Sequence, residues 1–285
     1  MTAEQLGLKY PETLEAVADI ARGAAELILE VYDGADFEVE QKQDDSPLTL
    51  ADRRAHEFIE SALTRLTPAI PVLSEESKLL PFTQRRRWTR YWLVDPLDGT
   101  KEFIGRNGEF TVNIALVEDG VATLGVVHVP VSGVTYSGLC GEAAEAADCA
   151  GAWRREGGVA KTIVSTRVEG RRVRVVASRR HRGERLETLL GNIETACGLE
   201  DVVSIGSSLK MCLVAEGAAD IYPRLAPTSE WDTAAAHAIV RAAGGEILDL
   251  DFRPLRYNTK ESLLNPEFVA LGDTDYDWRA LFAEL

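Results

Sequence analysis

Two aspartates, Asp95 and Asp98, stand three residues apart in the stretch YWLVDPLDGTKEF, which covers residues 91–103. The apolar run before Asp95 predicts a buried strand end, and the proline and glycine that follow predict a turn that points both carboxylates at one place. The next residues, TKEFI, predict a helix start, where the backbone N–H groups of Gly99 and Thr100 would face an anion. Carboxylates for a hard cation beside amides for an anion predict a metal-bridged phosphate.

Three more carboxylates lie at positions that suit either a metal ligand or a purely structural role. Glu75 follows the short strand predicted over Ala69–Leu73, and we prefer a ligand role to a solvated loop because α/β layers gather ligands at strand ends. Asp52 has capping-box spacing with Thr49 at a helix start, which by itself is a structural role. Asp232 falls in the first turn of a predicted helix, where the helix dipole favours an acid by about 0.3–1 kcal/mol.

Composition limits the function classes. The chain has 285 residues, 45% of them hydrophobic, and a formal net charge of −15. These values predict a globular protein and oppose nucleic acid as a partner, since no basic block is present to neutralise phosphates. The N-terminus lacks a basic region followed by an apolar one, and no later stretch reaches a membrane-spanning length. We expect a cytoplasmic protein; peripheral contact with the inner face of a membrane and the oligomeric state stay open.

The four cysteines and four histidines form no metal-binding pattern. Cys140, Cys149, Cys197 and Cys212 show no C-x-x-C spacing, and we interpret them as reduced structural residues. Without Cys or His beside the carboxylates, the expected metal is hard and oxygen-loving, with Mg²⁺ preferred over Mn²⁺ and Zn²⁺.

Hydrophobic periodicity predicts two parts of different architecture. In the first, two helices (11–32 and from 49) precede an antiparallel hairpin over 110–116 and 121–129, with a short strand predicted at Phe37–Val39. The composition shifts to Ala, Gly and charge between Cys140 and Lys161, and Gly157-Gly158 reads as a break. We therefore predict an N-terminal α+β domain over 1–155 and a C-terminal α/β domain over 156–285, in which strands and helices alternate.

Two motifs carry a resemblance to a known family. DPLDGT at 95–100 resembles the first signature of the inositol monophosphatase superfamily of magnesium-dependent phosphatases, and WDTAA at 231–235 resembles the second. A resemblance to the CysQ branch, the 3′(2′),5′-bisphosphate nucleotidases, extends over a longer segment, DPLDGTKEFIGRNGEFTVNIALVEDG. The segments PVLSEE and SIGSSLK and the dipeptide NP near the end of the sequence add to it. The resemblance covers nearly the whole chain. It implies a layered αβαβα sandwich of the sugar-phosphatase type, with the site between an antiparallel sheet and an α/β sheet.

The same resemblance implies roles for individual residues. Two or three Mg²⁺ ions would be held by Glu75, Asp95, the backbone carbonyl of Leu97, Asp98 and Asp232. Catalysis would involve Glu75 together with Thr100 and Asp52, the last two helping to deprotonate the attacking water. Substrate would be bound by Glu75, Asp98, Gly99, Thr100, Lys101, Ser207, Lys210, Arg224 and Asp232, with His181 a weaker candidate.

The reaction that the resemblance implies is hydrolysis of adenosine 3′,5′-bisphosphate to AMP and phosphate, by in-line attack of a metal-activated water. 3′-Phosphoadenosine 5′-phosphosulfate is a second possible substrate, and a role in sulfur metabolism and inhibition by lithium are implied as well. An inositol or other sugar monophosphatase is the alternative enzyme, because it would share every metal ligand. A protein that senses a nucleotide or a metal without catalysis is the non-enzyme alternative.

Overall fold

Two β-sheets alternate with three layers of helices in the computed structural model, which describes residues 9–34, 40–41, 47–78, 80–168, 170, 172–177, 183–283 and 285. The helices are α1 (Tyr10–Tyr32), α2 (Leu50–Leu66), α3 (Phe82–Arg85), α4 (Thr100–Ile104), α5 (Glu142–Ala146), α6 (Glu184–Ala196), α7 (Leu209–Ala215), α8 (Glu230–Ala242) and a 3₁₀ helix at Arg279–Phe282. Among the described residues, no helix has both the length and the apolar run that a membrane crossing needs.

The strands form one large sheet, one smaller sheet and an antiparallel pair. The pair is β1 (Glu40–Gln41) and β2 (Pro47–Leu48). The large sheet has seven strands in chain order: β3 (Val72–Ser74), β4 (Arg90–Asp98), β5 (Thr111–Glu118), β6 (Val121–Val129), β7 (Val134–Leu139), β8 (Gly151–Glu156) and β9 (Val159–Thr162). The smaller sheet has the order β11 (Leu199–Ser204), β10 (Val173–Ala177), β12 (Ile221–Arg224), β14 (Phe268–Leu271) and β13 (Glu246–Asp249).

The first helical layer covers one face of the large sheet. In α1 the apolar residues recur at helical spacing, so that Val17, Ala21, Ala24 and Ile28 are fully buried against α2 and β6. The α2 helix starts at the capping box that the sequence predicts, with Thr49 as N-cap. This layer encloses a continuous apolar core with the inward faces of β4 and β5.

An irregularity near the end of β4 determines where its two aspartates point. Strand β3 runs parallel to β4, whereas every later pair in this sheet is antiparallel. The register of β4 against β5 shifts between Asp95, which faces Asn113, and Asp98, which faces Thr111. Such a bulge turns side chains away from strict alternation. Both aspartates can therefore point to the same side.

The central helix α8 lies close to the other face of the large sheet because two glycines make room for it. Gly125 and Gly138 face each other on β6 and β7. A Cβ on Gly125 would lie 2.0 Å from the carbonyl oxygen of Ala235, and one on Gly138 would lie 2.6 Å from the Cα of Ile239. The helix backbone thus packs directly against the sheet, and this contact fixes the distance between the α8 N-terminus and the sheet.

The smaller sheet closes the sandwich. Its inner face packs on α7, which in turn packs on α8, and its outer face is covered by α6 and the 3₁₀ helix around Trp278. Strands β10, β11 and β12 are parallel, whereas β13 and β14 join in antiparallel fashion. The predicted layered αβαβα sandwich is confirmed.

One stretch differs from the interpretation of the sequence. The residues between Cys140 and Lys161 include α5 and the hairpin of β8 and β9, and Gly157-Gly158 is the two-residue turn of that hairpin. Both glycines have positive φ, 56° and 82°, as a tight hairpin turn requires. The large sheet therefore continues past the predicted boundary at 155/156, which falls within β8. The division into two domains stays a prediction, and the strand predicted at 37–39 lies outside the described residues.

Candidate metal centre and substrate pocket

Three aspartates from distant parts of the chain meet at the end of β4. Asp95 and Asp98 come from the bulged end of that strand, and Asp232 comes from the first turn of α8. One carboxylate oxygen from each lies within 4.8 Å of the others. The group consists of oxygen donors only, which suits a hard divalent cation.

Glu75 joins this group through the parallel pairing of β3 with β4. Ser74 pairs with Val94, and the Glu75 N–H donates to the Val94 carbonyl at 3.1 Å, so Glu75 lies beside Asp95. Burial raises the pKa of Asp95 well above its ordinary value, and the charges of Glu75, Asp98 and Asp232 raise it further. Burial and then the charge of Asp98 raise the pKa of Asp232 in the same way. Buried carboxylates that repel one another are stabilised either by protonation or by a bound cation.

Asp52 and Thr100 form a second polar group next to the aspartates. One oxygen of Asp52, Oδ2, accepts from the Thr49 N–H at 2.8 Å and from the Thr49 hydroxyl. The other, Oδ1, accepts from Thr100 Oγ1 at 3.5 Å, and the Thr100 hydroxyl also lies 3.5 Å from the Leu97 carbonyl oxygen. Asp52 is only 2% exposed and so keeps its structural cap while it faces Thr100. A capping role and a proton-accepting role are compatible.

Ser208 and Asn113 hold Asp98, although neither residue stands out in the sequence. The Ser208 N–H donates to Asp98 Oδ2 at 2.6 Å, and its hydroxyl lies 2.7 Å from the same oxygen. Asn113 Nδ2 donates to Ser208 Oγ at 2.9 Å. Asn113 pairs with Asp95 in the sheet register, a signal that becomes readable only when the register is known. The predicted Ser207 is the neighbour of the residue that contacts Asp98.

A cavity of about 230 Å³ opens beside the aspartates. Its lining includes the predicted residues Asp98, Gly99, Lys101, Ser207, Lys210, Arg224 and Asp232. It also includes residues that no sequence motif predicted, among them Glu102, Ile205, Tyr222 and Phe268. Acidic ligands, cations and an apolar wall thus meet in one space. The predicted His181 lies outside the described residues.

Two cations of the cavity, the buried Lys210 and the half-buried Arg224, have backbone partners. Lys210 Nζ donates to the carbonyls of Ser207 at 2.7 Å and Ile205 at 3.3 Å. Arg224 donates through Nε to Ala226 and through Nη2 to the Pro227 carbonyl at 2.9 Å. Burial lowers the pKa of Lys210 to about 8. These bonds orient both side chains within the pocket.

The loop before α7 is fixed against the loop before β5. The Gly206 N–H donates to Glu109 Oε2 at 2.7 Å, and a Cβ on Gly206 would lie 2.7 Å from the Glu109 carbonyl oxygen. The N–H groups of Gly206 and Ser208 thus donate to the carboxylates of Glu109 and Asp98. Glycine is required at 206 because the two loops pass too close for a side chain.

Comparison with known proteins decides the family. The sequence profile described as the Inositol monophosphatase family matches residues 10–276. The chain belongs to the inositol monophosphatase family. The resemblance seen in the DPLDGT and WDTAA motifs is confirmed, and with it the layered fold of this family.

Individual members of the family were also found. A protein named 3′(2′),5′-bisphosphate nucleotidase CysQ from Salmonella typhimurium is 51% identical over 256 residues, which cover 90% of this chain and 98% of that protein. The crystal structure of CysQ from Bacteroides thetaiotaomicron aligns with a TM-score of 0.79 and 44% identity, over 93% of this chain and 98% of the other. The Thermotoga maritima IMPase, at 22% identity and a TM-score of 0.72, covers 92% of both chains and shares the fold. The resemblance to the CysQ branch is likewise confirmed.

Proposed function

We propose that this protein is a Mg²⁺-dependent 3′(2′),5′-bisphosphate nucleotidase that hydrolyses adenosine 3′,5′-bisphosphate to AMP and phosphate. The observation that carries the proposal is the composition of the cavity. Asp98 and Asp232 face the same space as Lys210 and Arg224. Carboxylates suit a metal that neutralises the phosphate to be cleaved, whereas the additional cations suit a second phosphate. The CysQ relatives at about half identity carry a name with this substrate class.

The donor set fits Mg²⁺. The proposed ligands of two or three ions are oxygens from Glu75, Asp95, the Leu97 carbonyl, Asp98 and Asp232. Burial and mutual repulsion raise the pKa values of Asp95 and Asp232. A bound cation would therefore reduce the electrostatic repulsion among these carboxylates. When bound, the metal would supply Lewis-acid stabilisation of the phosphoryl oxygens and would lower the pKa of a nearby water.

Asp52 and Thr100 are the proposed proton acceptors. Because Asp52 Oδ2 is anchored by Thr49, Oδ1 stays directed at the Thr100 hydroxyl. That hydroxyl can accept a hydrogen bond from the attacking water while it donates to the carboxylate. Glu75, which follows the end of β3, is proposed to take part in catalysis together with Asp52 and Thr100. Direct attack by water requires no nucleophilic side chain and no covalent intermediate.

The substrate groups are assigned to the cavity lining. Gly99, Thr100 and Lys101 stand at the start of α4 and are proposed to contact the phosphate that leaves, together with Glu75, Asp98 and Asp232. Ser207, Lys210 and Arg224 are proposed to bind the second phosphate and the nucleoside. His181 stays a prediction. 3′-Phosphoadenosine 5′-phosphosulfate is a proposed second substrate because it carries the same 3′-phosphate.

The proposed setting is sulfur metabolism in the cytoplasm, with sensitivity to Li⁺. Nothing in the comparisons favours contact with a membrane surface. An inositol or sugar monophosphatase is the second candidate, because the family name itself points to that substrate class and the metal ligands would be the same. Lys210 and Arg224 argue against it, since an inositol monophosphate has no second phosphate for them.

The test is phosphate release from adenosine 3′,5′-bisphosphate and from inositol 1-phosphate, each with Mg²⁺ and then with Li⁺ added. We expect a strong preference for the nucleotide and inhibition by Li⁺. Preference for inositol phosphate would leave the metal site in place and refute the assignment of Lys210 and Arg224. No release from either substrate would favour a sensing protein.

A further inference from the structure

Ser208 bridges two aspartates that belong to different elements. Its hydroxyl oxygen lies 2.7 Å from Asp98 Oδ2, at the end of β4, and 2.7 Å from the Asp232 carbonyl oxygen, in α8. Its backbone N–H donates to Asp98 Oδ2 at 2.6 Å. Ser208 is 1% exposed, so water does not compete for these bonds.

Asn113 limits the hydrogen bonds that the Ser208 hydroxyl can form. Asn113 Nδ2 donates to Ser208 Oγ at 2.9 Å, and Asn113 is also 1% exposed. A hydroxyl that accepts from an amide keeps its single proton for one acceptor. That proton must go either to the Asp98 carboxylate or to the Asp232 carbonyl. Because the Ser208 N–H already donates to Asp98 Oδ2, directing the hydroxyl proton to the Asp232 carbonyl satisfies both contacts, and Ser208 then ties the end of β4 to the first turn of α8.

The backbone around Ser208 is itself held in place. Gly206 is bonded to Glu109 and has no room for a side chain, and the Ser207 carbonyl accepts from Lys210 Nζ at 2.7 Å. The neighbouring Ser207 has a positive φ of 44°, and its buried hydroxyl has no hydrogen-bond partner within the part of the chain that the structure describes. Ser208 is therefore a fixed bridge, whereas Ser207 contacts neither aspartate through its hydroxyl.

We propose that Ser208, oriented by Asn113, is a positioning residue that presets Asp98 and Asp232 for a divalent cation before any substrate binds. The inference rests on the proposed function, since it takes Mg²⁺ as the ion. Asp98 is anchored through Oδ2, so its other oxygen keeps a defined direction. Partners of metal ligands typically change metal affinity by about 10–100-fold when they are removed.

The experiment is a titration of the intact, metal-free protein with Mg²⁺ in a calorimeter, without nucleotide. Ser208→Ala is expected to weaken Mg²⁺ binding by about 10–100-fold. Ser207→Ala is the matched control and should bind Mg²⁺ like the wild type. Activity of Ser208→Ala should recover at high Mg²⁺ concentration, which would not occur if the variant merely had a damaged fold.

Ser208→Cys is the second variant, because a thiol nearly preserves the volume and donates only weak hydrogen bonds. It should fall between the wild type and Ser208→Ala in Mg²⁺ affinity. Unchanged affinity in both Ser208 variants, with binding abolished in Asp98→Asn, would overturn this inference and leave the proposed function intact. A wild-type protein that binds no Mg²⁺ would contradict the proposed cofactor, and this inference with it.

Discussion

The contact between α8 and the large sheet predicts how far an added methyl group on the sheet must displace the helix. Gly125→Ala would place a methyl group 2.0 Å from the Ala235 carbonyl oxygen, whereas real Cβ atoms essentially never come closer than 3.0 Å to another heavy atom. The helix or the strand must therefore move by about 1 Å, the difference between these distances. Ala235 lies one helical turn after Asp232, so the displacement reaches the metal centre.

Two consequences follow from that displacement. Overpacking of this kind typically costs about 1–3 kcal/mol of unfolding free energy, and each kcal/mol lowers Tm by about 2–4 °C in a chain of this size. A misplacement of about 1 Å in a catalytic arrangement typically lowers the rate about 100-fold. We expect Gly125→Ala to show both a lower Tm and a lower kcat for Mg²⁺-dependent phosphate release.

The matched control is Gly191→Ala. Gly191 lies within α6, and an added Cβ there would meet no atom within 4 Å. Replacing a helical glycine by alanine stabilises by roughly 0.5–1 kcal/mol. The control should therefore raise Tm and leave kcat unchanged. A Gly125→Ala protein with wild-type Tm and wild-type kcat would refute the claim that this close contact positions Asp232.

Three further predictions test other parts of the account. Asp98→Asn should abolish turnover and, in the absence of metal, should raise Tm because it removes one of the charges that repel Asp95 and Asp232; activity in the folded variant would contradict the metal assignment. Arg224→Gln should raise KM for the bisphosphate by about 10–100-fold, the loss of one charged hydrogen bond, without changing Mg²⁺ affinity, and an unchanged KM would remove Arg224 from the substrate site. Burial lowers the pKa of His128 from 6.5 to about 4, so the unfolded state binds the extra proton first as pH falls between these values. Denaturant unfolding should show that the stability of the wild type relative to His128→Gln falls by up to about 3 kcal/mol over this range, and a constant difference between the two proteins would disprove the buried neutral histidine.

The elements that carry the acidic ligands were predictable from local sequence. Thr49 with Asp52 predicts a capped helix start, and this occurs. The apolar run that stops at Asp95 predicts a strand, and this also occurs, but β4 continues through a bulge and ends at Asp98. The helix that bears Asp232 was predictable in the same way, from its alanine-rich apolar pattern. Each of these signals is contained within a few consecutive residues, which is why sequence alone reveals it.

The residues that connect these elements were not predictable. Ser208 and Asn113 acquire their role only from the pairing of β4 with β5 and from the approach of α7, and a single serine or asparagine carries no such signal. Gly125 and Gly138 likewise look like weak points within strands until α8 is placed above them. Gly157-Gly158 was interpreted as a break because two glycines suit a hairpin turn and a linker equally well.

The central claim is that one cavity binds a nucleotide bisphosphate and cleaves one of its phosphates with Mg²⁺. Its most direct test is the rate of phosphate release from adenosine 3′,5′-bisphosphate relative to inositol 1-phosphate, measured with Mg²⁺ and again after chelation with EDTA. The account predicts rapid release from the nucleotide, slow release from inositol phosphate, and loss of both when the metal is removed. Faster release from inositol phosphate, or release that survives chelation, would contradict it.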